Sequence, residues 1–142
     1  MNQPNQLDSS GLIPNARPNK VSLVMPVFNE AEMLPLLRVA IDTWRVDFDL
    51  PIELVIVDDG SDDGSLALLK EWAREADWLQ VVSFSRNFGH QPAIYAGLMQ
   101  ASGDVAVIMD ADLQDPLNVI PEMIERYKEG YAIVYGQRET RS

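Results

Sequence analysis

Asp110-Ala111-Asp112-Leu113-Gln114-Asp115-Pro116 places two carboxylates one residue apart, with a side-chain amide two residues further on. Asp110, Asp112 and the carbonyl of Gln114 form an all-oxygen donor set. Hard divalent cations such as Mg²⁺ and Mn²⁺ prefer oxygen donors and bind phosphates at the same time. Asp-x-Asp is a common pair, and the plain alternative for this stretch is a solvated acidic loop. Its position favours the first reading. Gly103-Asp104-Val105-Ala106-Val107-Ile108-Met109 is a short apolar run opened by a turn signal, which reads as a buried strand. The acids then fall at a strand's C-terminal end, where the loops of a parallel sheet open into a crevice.

The elements that must position these groups follow from the pattern along the chain. Residues 1–19 are polar, contain Pro4, Pro14 and Pro18, and lack periodicity, so they read as a disordered N-terminal tail. Residues 20–27 form a first strand, with Pro26 at its edge or exit because proline cannot donate a ladder hydrogen bond. Leu34, Leu37, Ile41 and Trp44 recur at helical spacing, which predicts a helix over 30–46. Residues 52–57 are a second strand, leading into Asp58-Asp59-Gly60-Ser61-Asp62-Asp63-Gly64, where the glycines permit a tight turn. Leu66, Leu69, Ala73 and Ala76 mark the next helical face, and residues 79–84 a third strand. A helix over 91–101 carries Ala93, Gly97 and Ala101 on one side, suited to close packing on a sheet. A fourth strand over 104–109 follows. Val119, Ile120, Met123, Ile124 and Tyr127 predict a helix stopped by Gly130, and residues 131–135 a fifth strand. Strands alternating with helices imply right-handed βαβ units. The fold class is α/β, an open, mostly parallel sheet with helices on both faces, Rossmann-like.

All but the last of these strand ends carry polar residues that burial does not require: Asn29 and Glu30; Asp58 and Asp59; Arg86 and Asn87; Asp110, Asp112 and Gln114. In a parallel sheet they converge on one edge. So many acids repel one another, and a cation resolves the repulsion and then attracts a diphosphate. Asp58 or Asp59 can instead accept hydrogen bonds from a base N–H or a ribose hydroxyl. Each has a structural alternative. Asp58-Asp59-Gly60-Ser61 also suits a strand exit and helix N-cap, and Asp62 or Asp63 reads as a cap or first-turn acid. Arg86 is either a surface ion-pair partner or a phosphate contact, and Arg138 and Arg141 either a solvated tail or a phosphate clamp. His90 reads as structural or as a weak polar contact, since there is no second histidine. Trp44, Trp72 and Trp78 read as packing residues.

Whole-chain properties narrow the classes further. A chain of 142 residues suffices for one domain with a core. A formal net charge of −11 argues against a nucleic-acid partner and against adhesion to anionic lipid. With no cysteine, thiolate chemistry and disulfides are excluded. No apolar run is long enough to span a membrane, and no signal peptide is visible.

Three motifs then resemble a known family. Val24-Met25-Pro26-Val27-Phe28-Asn29-Glu30, Val57-Asp58-Asp59-Gly60-Ser61 and Asp110 to Pro116 look like family 2 glycosyltransferases of the GT-A fold. Ser85-Arg86-Asn87-Phe88-Gly89 with Ala96-Gly97, and Gly136-Gln137-Arg138, are similar to the polyprenyl-phosphate branch. That branch includes dolichyl-phosphate mannose synthase and undecaprenyl-phosphate glycosyltransferases. The resemblance implies that Pro26, Phe28 and Glu30 line the pocket for base and ribose, and that Asp59, with Asp58, binds base or ribose. It implies that Asp110 approaches the ribose or the metal, and that Asp112 and Gln114 ligate Mg²⁺ or Mn²⁺ on the donor diphosphate. Arg138 matches a phosphate-contacting arginine, and Asp115 belongs to the motif. The implied partners are a UDP- or GDP-linked sugar and a lipid phosphate acceptor, the implied outcome is inversion at the sugar carbon, and the implied location is cytoplasmic.

Relatives of this branch continue past the position of Ser142. The expectation is therefore that residues 20–142 are the nucleotide-sugar-binding part of a GT-A domain without its acceptor part, able to bind a nucleotide but poor at turnover. An unfinished sheet edge would favour self-association. Rival readings are a phospho-acceptor receiver module, an inactive nucleotide-binding remnant and a nucleotidyltransferase. The first is disfavoured because the paired acids follow the second strand. The last is disfavoured because Pro26 to Glu30 contains neither glycine nor lysine.

Overall fold

The computed structural model describes Ser9, residues 18–112 and residues 117–130. It divides into two units, Asn19–Leu117 and Met1–Pro18 with Asn118–Ser142. The first holds strands β1 (Val21–Val27), β2 (Ile52–Asp58), β3 (Leu79–Ser83) and β4 (Val105–Ile108), and helices α1 (Leu34–Val46), α2 (Ser65–Glu75) and α3 (His90–Gln100). The strands make one parallel sheet in the order β3-β2-β1-β4. The chain steps one way from β1 to β3 and then returns to the far side of β1. Right-handed crossovers therefore put α1 and α2 on one face and α3 on the other. The order reverses between β1 and β4, which makes their C-terminal ends the topological switch point.

The central strands read as near-continuous apolar runs because both their faces are covered. Val21, Leu23, Val24, Met25 and Val27 of β1 are buried, as are Ile52 and Leu54 to Val57 of β2. Pro26 sits in a central strand without breaking it. Val24 O accepts Met109 N–H and Val27 O accepts Asp59 N–H. Alternation then turns Pro26 toward the β4 side, beyond the last pairing there, Val24 with Ile108. The missing N–H falls where the ladder has stopped. On the α3 face, a Cβ at Gly97 would lie 2.4 Å from Val24 Cγ1 and 3.3 Å from Val57 Cγ2. The predicted small-residue side of this helix is thus its contact with the sheet, with Ala93 and Gly97 buried.

A polar network clips the opposite, N-terminal edge. Ser22 Oγ donates to Glu53 Oε2 at 2.6 Å and accepts Gly103 N–H at 2.8 Å. The same Glu53 oxygen accepts Ser102 N–H at 2.9 Å. Asp104 Oδ2 accepts the N–H groups of Asn19 and Lys20. Burial alone would raise the Glu53 carboxyl, but hydrogen bonds from Ser22 and Ser102 and the charge of Lys20 outweigh it and hold it low.

The element boundaries differ slightly from the sequence reading. The helix expected from residue 30 begins at Leu34, because Met33 and Leu34 first close a turn onto Glu30 O. Asp58 still belongs to β2, paired with Val27 and Ser83. Trp72 is buried and meets Trp78 edge-on at 5.9 Å, and Trp44 stacks on Phe48, so the tryptophans pack. In the second unit, α4 (Ile120–Lys128) buries Ile120 and Ile124 and ends before Gly130 at φ 106, the left-handed stop its sequence implies. The expected fifth strand, and all but Ser9, Pro18 and Asn19 of the tail, lie outside the described residues. Among the described residues no helix is long and apolar enough to cross a membrane.

Two outcomes follow. Gly97→Ala improves helix propensity by about 1 kcal/mol but drives a methyl into Val24. Overpacking costs about 1–3 kcal/mol, so the net loss expected in urea denaturation is up to about 2 kcal/mol, shrinking in the Val24→Ala background. The lowered Glu53 carboxyl stabilises the fold above its ordinary value of 4.5, and that contribution is lost as pH falls through the folded value. Glu53→Gln is therefore less stable than the parent at pH 7, and the gap between their melting temperatures closes below pH 4.5.

Candidate functional site

Three strand exits meet at the C-terminal edge, and hydrogen bonds tie them together. After β1, Asn29 adopts φ 53, a left-handed conformation that asparagine tolerates. Its N–H donates to Ser61 Oγ at 2.8 Å, and its Oδ1 accepts Asp62 N–H at 2.9 Å. Glu30 N–H donates to Ser65 Oγ and Ala31 N–H to Asp63 Oδ2. Asp63 Oδ1 in turn accepts the N–H of Ser65, the first residue of α2, as an acid before a helix does. The hydrogen bond from the Ser65 hydroxyl is the main reason its carboxyl is held low.

Asp59 performs the same task toward β3. Its Oδ1 accepts Phe88 N–H at 2.7 Å, and its Oδ2 accepts Gly89 N–H at 3.0 Å and Asn87 Nδ2 at 3.2 Å. Gly60 makes this approach possible. It has φ 74, and a Cβ there would fall 2.2 Å from the Arg86 carbonyl carbon and 2.4 Å from Asn87 N. The turn after β2 thus lies backbone to backbone on the turn after β3.

These loops surround a cleft of about 420 Å³ at the switch point, lined by Pro26, Val27, Phe28, Glu30, Asp59, Asn87, Gly89, His90, Asp110, Ala111 and Asp112. Its size is that of a small-ligand site. One wall is apolar, with Phe28 exposed beside Pro26. The other carries carboxylates. The Glu30 carboxyl is raised by burial and then by the charges of Asp112, Asp63 and Asp110. Asp110 Oδ1 lies 3.2 Å from His90 Nε2.

Of the predicted site residues, Pro26, Phe28, Glu30, Asp59, Asp110 and Asp112 are brought together here. Asp58 is not part of the lining. It is 1% exposed, takes Ser61 N–H on Oδ2, and its Oδ1 is buried without a hydrogen-bond partner among the described residues. Arg86 is also outside the lining, its guanidinium 4.6 Å over the Phe88 ring. Gln114, Asp115 and Arg138 lie outside the described residues. The sequence reading placed Asn87 among the groups converging on this edge and read His90 as structural or a weak polar contact, but assigned neither of them, nor Gly89, a binding role. The signal for them was their place between the third strand and α3, at the same sheet edge as the acids.

The donors fit a hard divalent cation. Among the described residues no three acidic or histidine side chains gather to hold one alone. Mg²⁺ and Mn²⁺ sites beside phosphates need only one or two carboxylates, with phosphate oxygens and water completing the shell. Asp110 and Asp112 meet that requirement.

The family model described as glycosyl transferase family 2 matches residues 22–142. The bactoprenol glucosyl transferase of Shigella phage SfV is 40% identical over 123 residues, covering 87% of this chain and 40% of the relative. The undecaprenyl-phosphate 4-deoxy-4-formamido-L-arabinose transferase of Proteus mirabilis is 42% identical over 125 residues, covering 87% and 38%. The chain thus spans well under half the length of these relatives. Among solved structures, a mannosyltransferase from Pyrobaculum calidifontis in complex with GDP-Man and Mn²⁺ superposes with a TM-score of 0.56 at 30% identity. The match covers 72% of this chain and 34% of that one. Sheet order, motif placement and these matches agree: the chain belongs to glycosyl transferase family 2 and has the α/β architecture of the GT-A fold.

Proposed function

We propose that residues 20–142 are the nucleotide-sugar-binding part of an inverting glycosyltransferase that uses a divalent cation and delivers its sugar to a polyprenyl phosphate. The observation that carries this reading is the acidic cleft at the switch point, where neighbouring carboxylates add to burial in raising Glu30. Such a site attracts a cation, and a cation draws in a diphosphate. Phe28 and Pro26 offer apolar surface for a base, and Asp59 lines the cleft beside them with its carboxylate bonded to Phe88, Gly89 and Asn87. Asp110 and Asp112, with Gln114, are the residues to hold Mg²⁺ or Mn²⁺. When bound, the cation stabilises the departing nucleoside diphosphate as a Lewis acid.

A phosphate acceptor suits this chain. With a second pKa near about 6, it arrives largely ionised and needs positioning rather than deprotonation. Its oxygen attacks the sugar carbon opposite the leaving diphosphate, and that single displacement inverts the carbon. The names of the bactoprenol and undecaprenyl-phosphate relatives support a lipid phosphate as acceptor. Such an acceptor would place the reaction at the cytoplasmic face of the membrane.

Calorimetric titration with UDP and GDP, with and without Mn²⁺, tests the donor site. One nucleotide is expected to bind in a Mn²⁺-dependent manner. Asp112→Asn should weaken it roughly tenfold or more, the effect of losing one charged contact. Equal binding by the variant, or none of either nucleotide by the folded chain, overturns the reading.

A second outcome concerns Glu30. A raised carboxyl costs stability while ionised; the cost shrinks as pH falls below its folded value and is gone below the ordinary value of 4.5. Glu30→Gln should melt higher than the parent at pH 7 without metal. The difference should fade on acidification and narrow when Mn²⁺ and nucleotide are added.

A further inference from the structure

We propose that His90 is a positioning residue that sets the orientation of the Asp110 carboxylate toward the donor's cation. The proposal rests on the donor-site reading above. His90 is the chain's single histidine and opens α3. The backbone beneath it is fixed, because Gly89, at φ 109, gives its N–H to Asp59. From that base the imidazole reaches the exit of β4, with Nε2 3.2 Å from Asp110 Oδ1. Both residues line the cleft.

The chemistry fixes the direction of the bond. An ionised carboxylate only accepts, so Nε2 carries the hydrogen and donates it. Asp110 directly follows Met109, whose N–H donates to Val24 O beyond the end of β4. A carboxylate has about four acceptor sites over its two oxygens. The bond from Nε2 takes up one of them and holds Oδ1 at a defined point. Partners that orient metal-binding carboxylates typically change metal affinity about 10- to 100-fold when removed.

The test is Mn²⁺ affinity in the presence of UDP or GDP, measured by electron paramagnetic resonance on the full 142-residue chain, with melting curves in parallel. His90→Leu should weaken Mn²⁺ binding about 10- to 100-fold. His90→Gln, whose terminal amide N–H reaches the same point as Nε2, should recover most of it. His90→Asn, too short to reach, stands in for the leucine variant if that chain fails to fold, and should resemble it. Unchanged affinity in His90→Leu or His90→Asn overturns the proposal, even if melting temperature falls, since that is what a purely structural contact does. Equal weakening in His90→Gln also overturns it, because the hydrogen bond is then not the cause. A parent chain that takes up no Mn²⁺ with either nucleotide overturns the donor-site reading and this proposal together, a result distinct from the other two.

Discussion

The carboxylate of Asp59 holds the C-terminal edge of this sheet together. It reaches out of β2 and accepts hydrogen bonds from Phe88, Gly89 and the Asn87 side chain, so the turn after β3 cannot drift from the turn after β2. Charge-assisted bonds of this kind are about twice as strong as neutral ones. They succeed here because Gly60 lets the two backbones touch. On the other side, Asn29, Ser61, Asp63 and Ser65 lace the β1 exit to the same β2 turn. One turn thus anchors both neighbours, and the cleft takes its walls from these three exits and from Asp110 to Asp112 after β4.

Two glutamates show how differently the sheet's ends are built. At the N-terminal edge, Glu53 is surrounded by donors from Ser22 and Ser102 and sits below its ordinary range. At the C-terminal edge, Glu30 is raised above it first by burial and then by the charges of Asp112, Asp63 and Asp110. The first arrangement is self-sufficient and stabilises the fold. The second sets carboxylates against one another at the cleft, the arrangement on which the proposed donor site rests. Asp63, held low by Ser65 while also facing Glu30, serves the scaffold and adds to the field at once.

The two faces of the sheet are divided similarly. Gly97 brings α3 against Val24 and Val57, and that close approach sets where the start of α3 lies. The start of α3 carries Gly89 and His90 to the cleft. A packing decision made at mid-helix therefore fixes the position of groups two turns away.

Much was determined by the sequence itself. Period and punctuation gave the alternation of strands and helices, and Ala93 with Gly97 marked the packed side of α3. Acids placed after apolar runs marked the edge where a ligand would sit. These signals are local, carried by spacing and by residue type. What tertiary structure decided was which acids face the cleft and which serve the chain. Asp58 and Asp59 are adjacent in sequence, identical in type and both buried, yet Asp58 turns back to Ser61 while Asp59 holds the β3 turn and lines the cleft. Arg86 turns onto the Phe88 ring, outside the cleft lining, while His90, four residues on, lies 3.2 Å from Asp110. Pairings between residues 20 to 30 positions apart depend on strand order and on how closely backbones approach, and neither is written in any single stretch of the chain.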